Sequence, residues 1–170
     1  FSSVMGKENH LIFLDCRDLS KVDHLPLGDD VELVLANTLA SHELADGTYN
    51  RLRENCFEAA GYFDSKMGSV THLRDVTSQE FEKYSGGMND EMLRRSRHIV
   101  TENERVVTGV EALKNGNLAG MGRCMFDSHS SSRDDFGNSC EELDVMVELA
   151  QDLPGCFGSR LSGGGFGGCT

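Results

Sequence analysis

Arg160-Leu161-Ser162-Gly163-Gly164-Gly165-Phe166-Gly167-Gly168-Cys169-Thr170 is the stretch from which this 170-residue sequence is best read. Five of the six residues from Gly163 to Gly168 are glycine. Glycine gives up more conformational freedom on folding than any other residue, so a packed chain keeps such a run only where the backbone turns sharply or approaches something closely. Successive unhindered N–H groups form an anion-binding concavity, for which phosphate is the familiar occupant. A tight turn between two strands, packed on a neighbouring helix, satisfies the same composition. Two stock phosphate motifs fail here. Gly163, Gly165 and Gly168 have the Gly-x-Gly-x-x-Gly spacing, but that motif opens a helix and needs an acidic residue about 20 positions on; the sequence runs only to Thr170. A Walker-type loop needs Gly-Lys followed by Ser or Thr, and no lysine follows Lys114.

The bulk properties narrow the function classes. With 16 basic and 28 acidic residues the net charge is −12, which argues against nucleic acid or an anionic membrane surface as the partner. Cys16, Cys56, Cys124, Cys140, Cys156 and Cys169 form no Cys-x-x-Cys pair, so neither a zinc site nor a small disulfide framework is indicated. Reduced thiols in a cytoplasm are the expectation, and no apolar run approaches the length that spans a bilayer. The sequence starts at Phe1 and ends inside the glycine loop; it is expected to be an internal fragment.

The order of elements reads as α+β. His10–Cys16 and Val31–Ala36 are short apolar runs that read as two strands of one antiparallel sheet, with a turn at Pro26–Asp30. A polar loop follows over Asn37–Gly47. The spacing then predicts a helix over Thr48–Phe63 with Asp46 as N-cap and Tyr49, Leu52, Cys56, Ala59 and Ala60 on its inner stripe. Tyr49 falls in the first turn of that helix, where it either faces a ligand or closes the edge of the core. Thr77-Ser78-Gln79-Glu80 is a capping box for a short helix that stops at Gly86-Gly87. The longest helix is predicted from Asp90 to Leu113, with Arg94, Arg95 and Arg97 on a solvated face. Asn115-Gly116 stops it, and Leu118–His129 completes a helical hairpin.

Ser130–Gly137 reads as a polar loop. Its Asp134-Asp135 pair has the chemistry to hold Mg²⁺ with a substrate phosphate, although helix capping and arginine pairing use the same residues. His98 and Glu102 lack a further histidine at zinc-ligand spacing. Ser139 with Glu142 reads as a second capping box, for a helix that buries Leu143, Met146, Val147 and Ala150. Cys156–Leu161 is then expected as the strand entering the glycine loop.

Arg160 to Thr170 resembles the third conserved motif of the galactokinases, members of the GHMP small-molecule kinase family. The resemblance extends over Met5-Gly6-Lys7, His10, Asp15-Cys16-Arg17, Asn37, His42-Glu43-Leu44, Tyr49-Asn50 and Arg53-Glu54-Asn55-Cys56. It continues through Arg94-Arg95-Ser96-Arg97-His98, Thr101-Glu102-Asn103, Met121-Gly122-Arg123, Ser128-His129 and Arg133-Asp134-Asp135-Phe136. Ser41 and Glu141 depart from the pattern, where many relatives carry a basic residue and a proline.

The resemblance implies a GHMP kinase fold: residues 1–28 as the end of the N-terminal sugar- and ATP-binding domain, and residues 29–170 as most of a ferredoxin-like C-terminal domain with extra helices. It implies transfer of the γ-phosphoryl group of ATP to the anomeric hydroxyl of galactose, with Mg²⁺. Tyr49 would contact the sugar, and Ser162, Gly163, Gly164, Gly165, Gly167 and Gly168 would lie near the phosphates. The catalytic aspartate would stand two residues before Phe1, and the metal ligands in the preceding half, so the fragment alone is expected to be inactive. Two alternatives share these residues: a catalytically silent galactose and ATP sensor, and a kinase of a related sugar such as N-acetylgalactosamine.

Overall fold

The computed structural model describes residues 2–41 and 47–170. The helices are α1 (Ser2–Met5), α2 (Thr48–Met67), α3 (Ser78–Tyr84), α4 (Asp90–Lys114), α5 (Leu118–Ser131) and α6 (Glu141–Gln151). The strands are β1 (His10–Leu14), β2 (Val22–Pro26), β3 (Asn37–Ser41) and β4 (Gly167–Cys169). Short 3₁₀ turns lie at Leu73–Asp75 and Ser85–Gly87, and a π-helical turn at Ser132–Phe136. The class is α+β, as read from the sequence.

The strands differ from expectation. β1 pairs antiparallel with β2, His10 opposite Pro26 and Leu14 opposite Val22. The turn between them contains neither glycine nor proline. It is built by aspartates: Asp15 accepts from the Arg17 N–H at 3.0 Å, and Asp18 accepts from Ser20 N–H at 3.2 Å and Ser20 Oγ at 2.6 Å, the Asx-turn chemistry that replaces Gly and Pro in tight turns. Val31–Ala36 is not a strand. With β1 already paired, Leu33, Val34 and Leu35 are 62%, 76% and 76% exposed. The ladder starts only at Ala36, which exchanges backbone bonds with Thr170 at 3.0 and 3.1 Å. β3, inside the stretch read as a polar loop, then pairs antiparallel with β4. Thr38 Oγ1 adds a bond to the Gly168 carbonyl at 2.8 Å.

Helix α2 runs one turn beyond the expected Phe63, to the left-handed Gly68 whose N–H bonds to Asp64 O. Asp46, the expected N-cap, lies outside the described residues. Gly47 precedes the helix at φ 119° without a side-chain cap. The inner face of α2 buries Leu52, Ala59, Ala60 and Phe63. Ala59, Ala60 and Phe63 form the core with Val70, Leu73, Val76, Phe81 and Val100. The Thr77 capping box is closed from both sides: Thr77 N–H to Glu80 Oε2 at 2.9 Å and Glu80 N–H to Thr77 Oγ1 at 3.3 Å.

Helices α4 and α5 form the predicted hairpin across Gly116 (φ 68°). Gly109 admits the Met121 and Cys124 side chains of α5. On the other side of α5, Gly122 meets the backbone of Phe157 and Gly158 so closely that a Cβ would overlap the Phe157 carbonyl oxygen. This close approach explains why Cys156–Leu161 is irregular rather than a strand: its backbone lies against a helix instead of along a ladder. Among the described residues no helix is long and apolar enough to cross a membrane.

Overpacking a close backbone contact costs about 1–3 kcal/mol. Gly122→Ala is therefore expected to destabilise the chain by about 2 kcal/mol or more in denaturant unfolding, while Ala112→Gly, a loss of helix propensity alone, costs about 1 kcal/mol.

Candidate functional site

Tyr49 is 59% exposed, so it is a rim residue and not part of the buried stripe of α2. It borders a cavity of about 400 Å³ whose walls include Arg53, Phe57, His72, Arg74, Ile99 and Phe136. Arg53 lies over the Phe57 ring at 5.1 Å, and His72 tilts against Phe57 at 6.3 Å. Aromatic faces beside guanidinium and imidazole donors are suited to a ring with one apolar and one hydroxylated side. Arg74 holds Asp15 through two bonds of 3.0 Å, so the β1–β2 turn is tied to the cavity wall. Hydrogen bonds from the Arg17 N–H and the Arg17 side chain, followed by the Arg74 and Arg17 charges, keep the Asp15 carboxyl below its ordinary range. Cys56 also lines the cavity, and burial raises its thiol pKa, which keeps it a weak nucleophile.

The glycine loop is shaped by left-handed backbone at Gly163 (φ 76°), Gly165 (83°), Phe166 (60°), Gly167 (119°) and Gly168 (88°). Ser162 N–H bonds to Cys169 O at 2.8 Å and closes its base. Its glycines fall into two kinds. Gly165 packs on Asn138, where a Cβ would overlap the carbonyl oxygen. Gly163, Gly164 and Gly168 have open space where a Cβ would stand. Structure alone demands glycine at 165; at Gly164, with no unusual φ and no neighbour, it does not.

The loop does not wall the cavity of Tyr49. What joins them is residues 128–138, the segment read as a polar loop beyond His129. It is helical instead: α5 runs to Ser131 and the π turn follows, closed by Gly137 N–H to Ser132 O at 2.7 Å with Gly137 at φ 72°. The three arginines read as a solvated face hold this turn. Arg95 Nη1 donates to Asp135 O at 3.1 Å, Arg97 Nη1 to Asp135 Oδ1 at 2.9 Å, and Arg94 Nη1 to Asp134 O at 3.4 Å. Asp134 is gripped by Arg133 at 2.8 and 3.1 Å. The aspartate pair is thus engaged by arginine, and among the described residues no group of three or more His, Cys, Asp or Glu could hold a metal ion. Isolated charges in sequence carried no signal of these long-range partners.

Two buried histidines anchor the same segment. His98 bonds through Nδ1 to Ser131 Oγ at 2.9 Å and lies against Phe136 at 4.8 Å. Burial pushes its pKa down to about 4 against the opposing pull of Glu102. His129, 2% exposed, accepts the Leu161 N–H on Nδ1 at 3.2 Å and meets Asp144 Oδ1 through Nε2 at 3.0 Å. The Leu161 bond places the proton on Nε2, and burial lowers this pKa as well. Ser139 Oγ donates to Asp144 at 2.6 Å, so its hydroxyl is not used to cap α6; Cys140 occupies the N-cap position without a side-chain capping bond. Glu102 gathers Ser128 Oγ at 2.5 Å, Arg160 at 3.2 Å and Arg105, tying the approach to the glycine loop to α4.

Lowered histidine pKa values fix the sign of the acid response. Above pH 6.5 neither folded nor unfolded chain protonates these rings, and their contribution is complete. Between pH 6.5 and about 4 the unfolded chain binds protons that folded His98 refuses, so stability falls with acid. Unfolding free energy measured from pH 7.5 to 5 is expected to drop below pH 6.5, and His98→Gln to reduce that slope by about one proton.

Residues 110–170 match the model of the family described as GHMP kinases C terminal. The chain is 43% identical over 98% of its length to a galactokinase of Haemophilus influenzae (strain PittGG). It is 41% identical over 99% of its length to a galactokinase of Chloroflexus aurantiacus. It spans 43% of the length of each. The crystal structure of Lactococcus lactis galactokinase complexed with galactose superposes with a TM-score of 0.86 and 31% identity, covering 96% of this chain and 42% of that one.

Proposed function

We propose that this chain belongs to the GHMP kinase family and is the C-terminal half of a galactokinase. The whole protein would transfer the γ-phosphoryl group of ATP to the anomeric hydroxyl of galactose in the cytoplasm. The observation that carries this reading is the likeness to galactokinases over almost the whole chain, at about 40% identity and with one backbone course. Residues 1–28 would end the preceding sugar- and ATP-binding domain, and residues 29–170 would supply most of the C-terminal one.

In this reading Tyr49 meets galactose at the mouth of the 400 Å³ cavity. Ser162, Gly163, Gly164, Gly165, Gly167 and Gly168 form bare backbone near the transferred phosphate. The open space at Gly163, Gly164 and Gly168 fits close approach of a ligand. The described residues do not fit a magnesium site, since Asp134 and Asp135 are paired with arginine. We assign the ligands of Mg²⁺, the principal ATP phosphate loop and the catalytic aspartate to the part of the protein preceding Phe1. Phosphoryl transfer depends on positioning and charge stabilisation, so the 170-residue chain by itself should turn over no galactose.

The test is steady-state kinetics of the whole protein with galactose and ATP varied separately. Tyr49→Ala is expected to raise KM for galactose by about tenfold, the worth of an aromatic contact, and to change KM for ATP much less. Gly164→Ala should leave stability within about 0.5 kcal/mol and yet lower kcat. Equal effects of Tyr49→Ala on both substrates, or full activity in Gly164→Ala, would contradict these assignments.

A further inference from the structure

Asn138 is 7% exposed, and among the described residues its Oδ1 has no hydrogen-bond partner. A buried carbonyl left unpaired costs stability, whereas leucine, of nearly the same shape, would fill the site at no such cost. Packing therefore does not account for an amide at this position. Its neighbours do.

The Nδ2 group donates to Gly164 O at 3.2 Å, and the Asn138 carbonyl accepts from Phe166 N–H at 2.7 Å. A single residue thus holds the tip of the glycine loop on both sides of Gly165, whose missing side chain lets the two backbones meet. Asn138 is also placed by the element that borders the other half of the site. Phe136 closes the π turn and lines the cavity of Tyr49. The left-handed Gly137 reverses the chain, and Asn138 comes next. Two peptide units therefore separate the cavity wall from the loop.

We propose that Asn138 is a positioning residue that fixes the tip of the glycine loop relative to the cavity bordered by Tyr49. The side-chain bond to Gly164 O orients the peptide between Gly164 and Gly165. The backbone bond to Phe166 fixes how far the tip stands from the π turn. His129 acts at the loop's other end, through Leu161 N–H, so the segment 128–138 holds both the approach and the tip. The role in catalysis rests on the galactokinase reading above; the clamp itself does not.

The experiment compares wild type, Asn138→Leu and Asn138→Asp in the whole protein, by amide exchange over residues 162–168, thermal melting, and kinetics with galactose and ATP. Leucine keeps the shape without the donor, and aspartate keeps the shape with acceptors only. Both variants are expected to exchange about fivefold faster across 162–168, the worth of one intramolecular hydrogen bond. Both should lower kcat by a similar factor while KM for galactose stays within about twofold, and Asn138→Leu should melt no lower than wild type. Unchanged exchange and kcat in both variants would overturn the proposal. So would an Asn138→Leu protein that melts well below wild type or fails to fold, since the amide would then be a structural element only. If wild type consumes no ATP with galactose, the galactokinase reading fails, and the exchange measurement still decides the clamp.

Discussion

The antiparallel pairing of residues 36–41 with residues 167–170 is the constraint on which the rest of this structure depends. It joins segments about 130 residues apart in sequence through the paired bonds of Ala36 and Thr170 and the Thr38 hydroxyl on Gly168. Closing so long a loop carries a large entropic cost, so short strands alone do not hold it. The helices between them do: α4 and α5 pack along each other through Gly109, α5 meets the 157–158 backbone through Gly122, and His129 receives Leu161. Each contact sets the glycine loop at a defined place beside β3.

Charge is used in the same economical way. A net charge of −12 says little about a binding site, because many of the arginines that matter are engaged within the chain. Arg94, Arg95 and Arg97 hold the π turn, Arg74 holds Asp15, and Arg160 and Arg105 converge on Glu102. A π turn is rare, and such turns recur near functional sites. Here it sets Phe136 in the wall of the Tyr49 cavity, while Asn138, two residues on, reaches the glycine loop. The buried neutral histidines to either side make this junction one that acid weakens.

Much of the fold could be read from sequence because local chemistry decided it. The Thr77 box and the Asn115-Gly116 stop are local signals, and each has its expected place in the structure. Errors arose where partners lie far away. Residues 31–35 have strand composition but no ladder partner among the described residues; Val22–Pro26 pairs because aspartates close the preceding turn. Ser139 has capping chemistry, but Asp144 takes its hydroxyl. At the site, the glycine run and Tyr49 stood out as residue types, whereas Asn138, His129 and the arginine grip on the π turn owe their importance to contacts that spacing alone does not reveal.

The central proposal is that the Tyr49 cavity and the glycine loop form one ligand site linked by residues 132–138. Amide exchange of the whole protein, followed with galactose and then with galactose plus a non-hydrolysable ATP analogue, tests it most directly. The account predicts that galactose slows exchange around residues 47–57 and 72–74, and that adding the analogue extends protection to residues 162–168. Protection confined to other parts of the chain, with both regions unchanged when both ligands are bound, would contradict it.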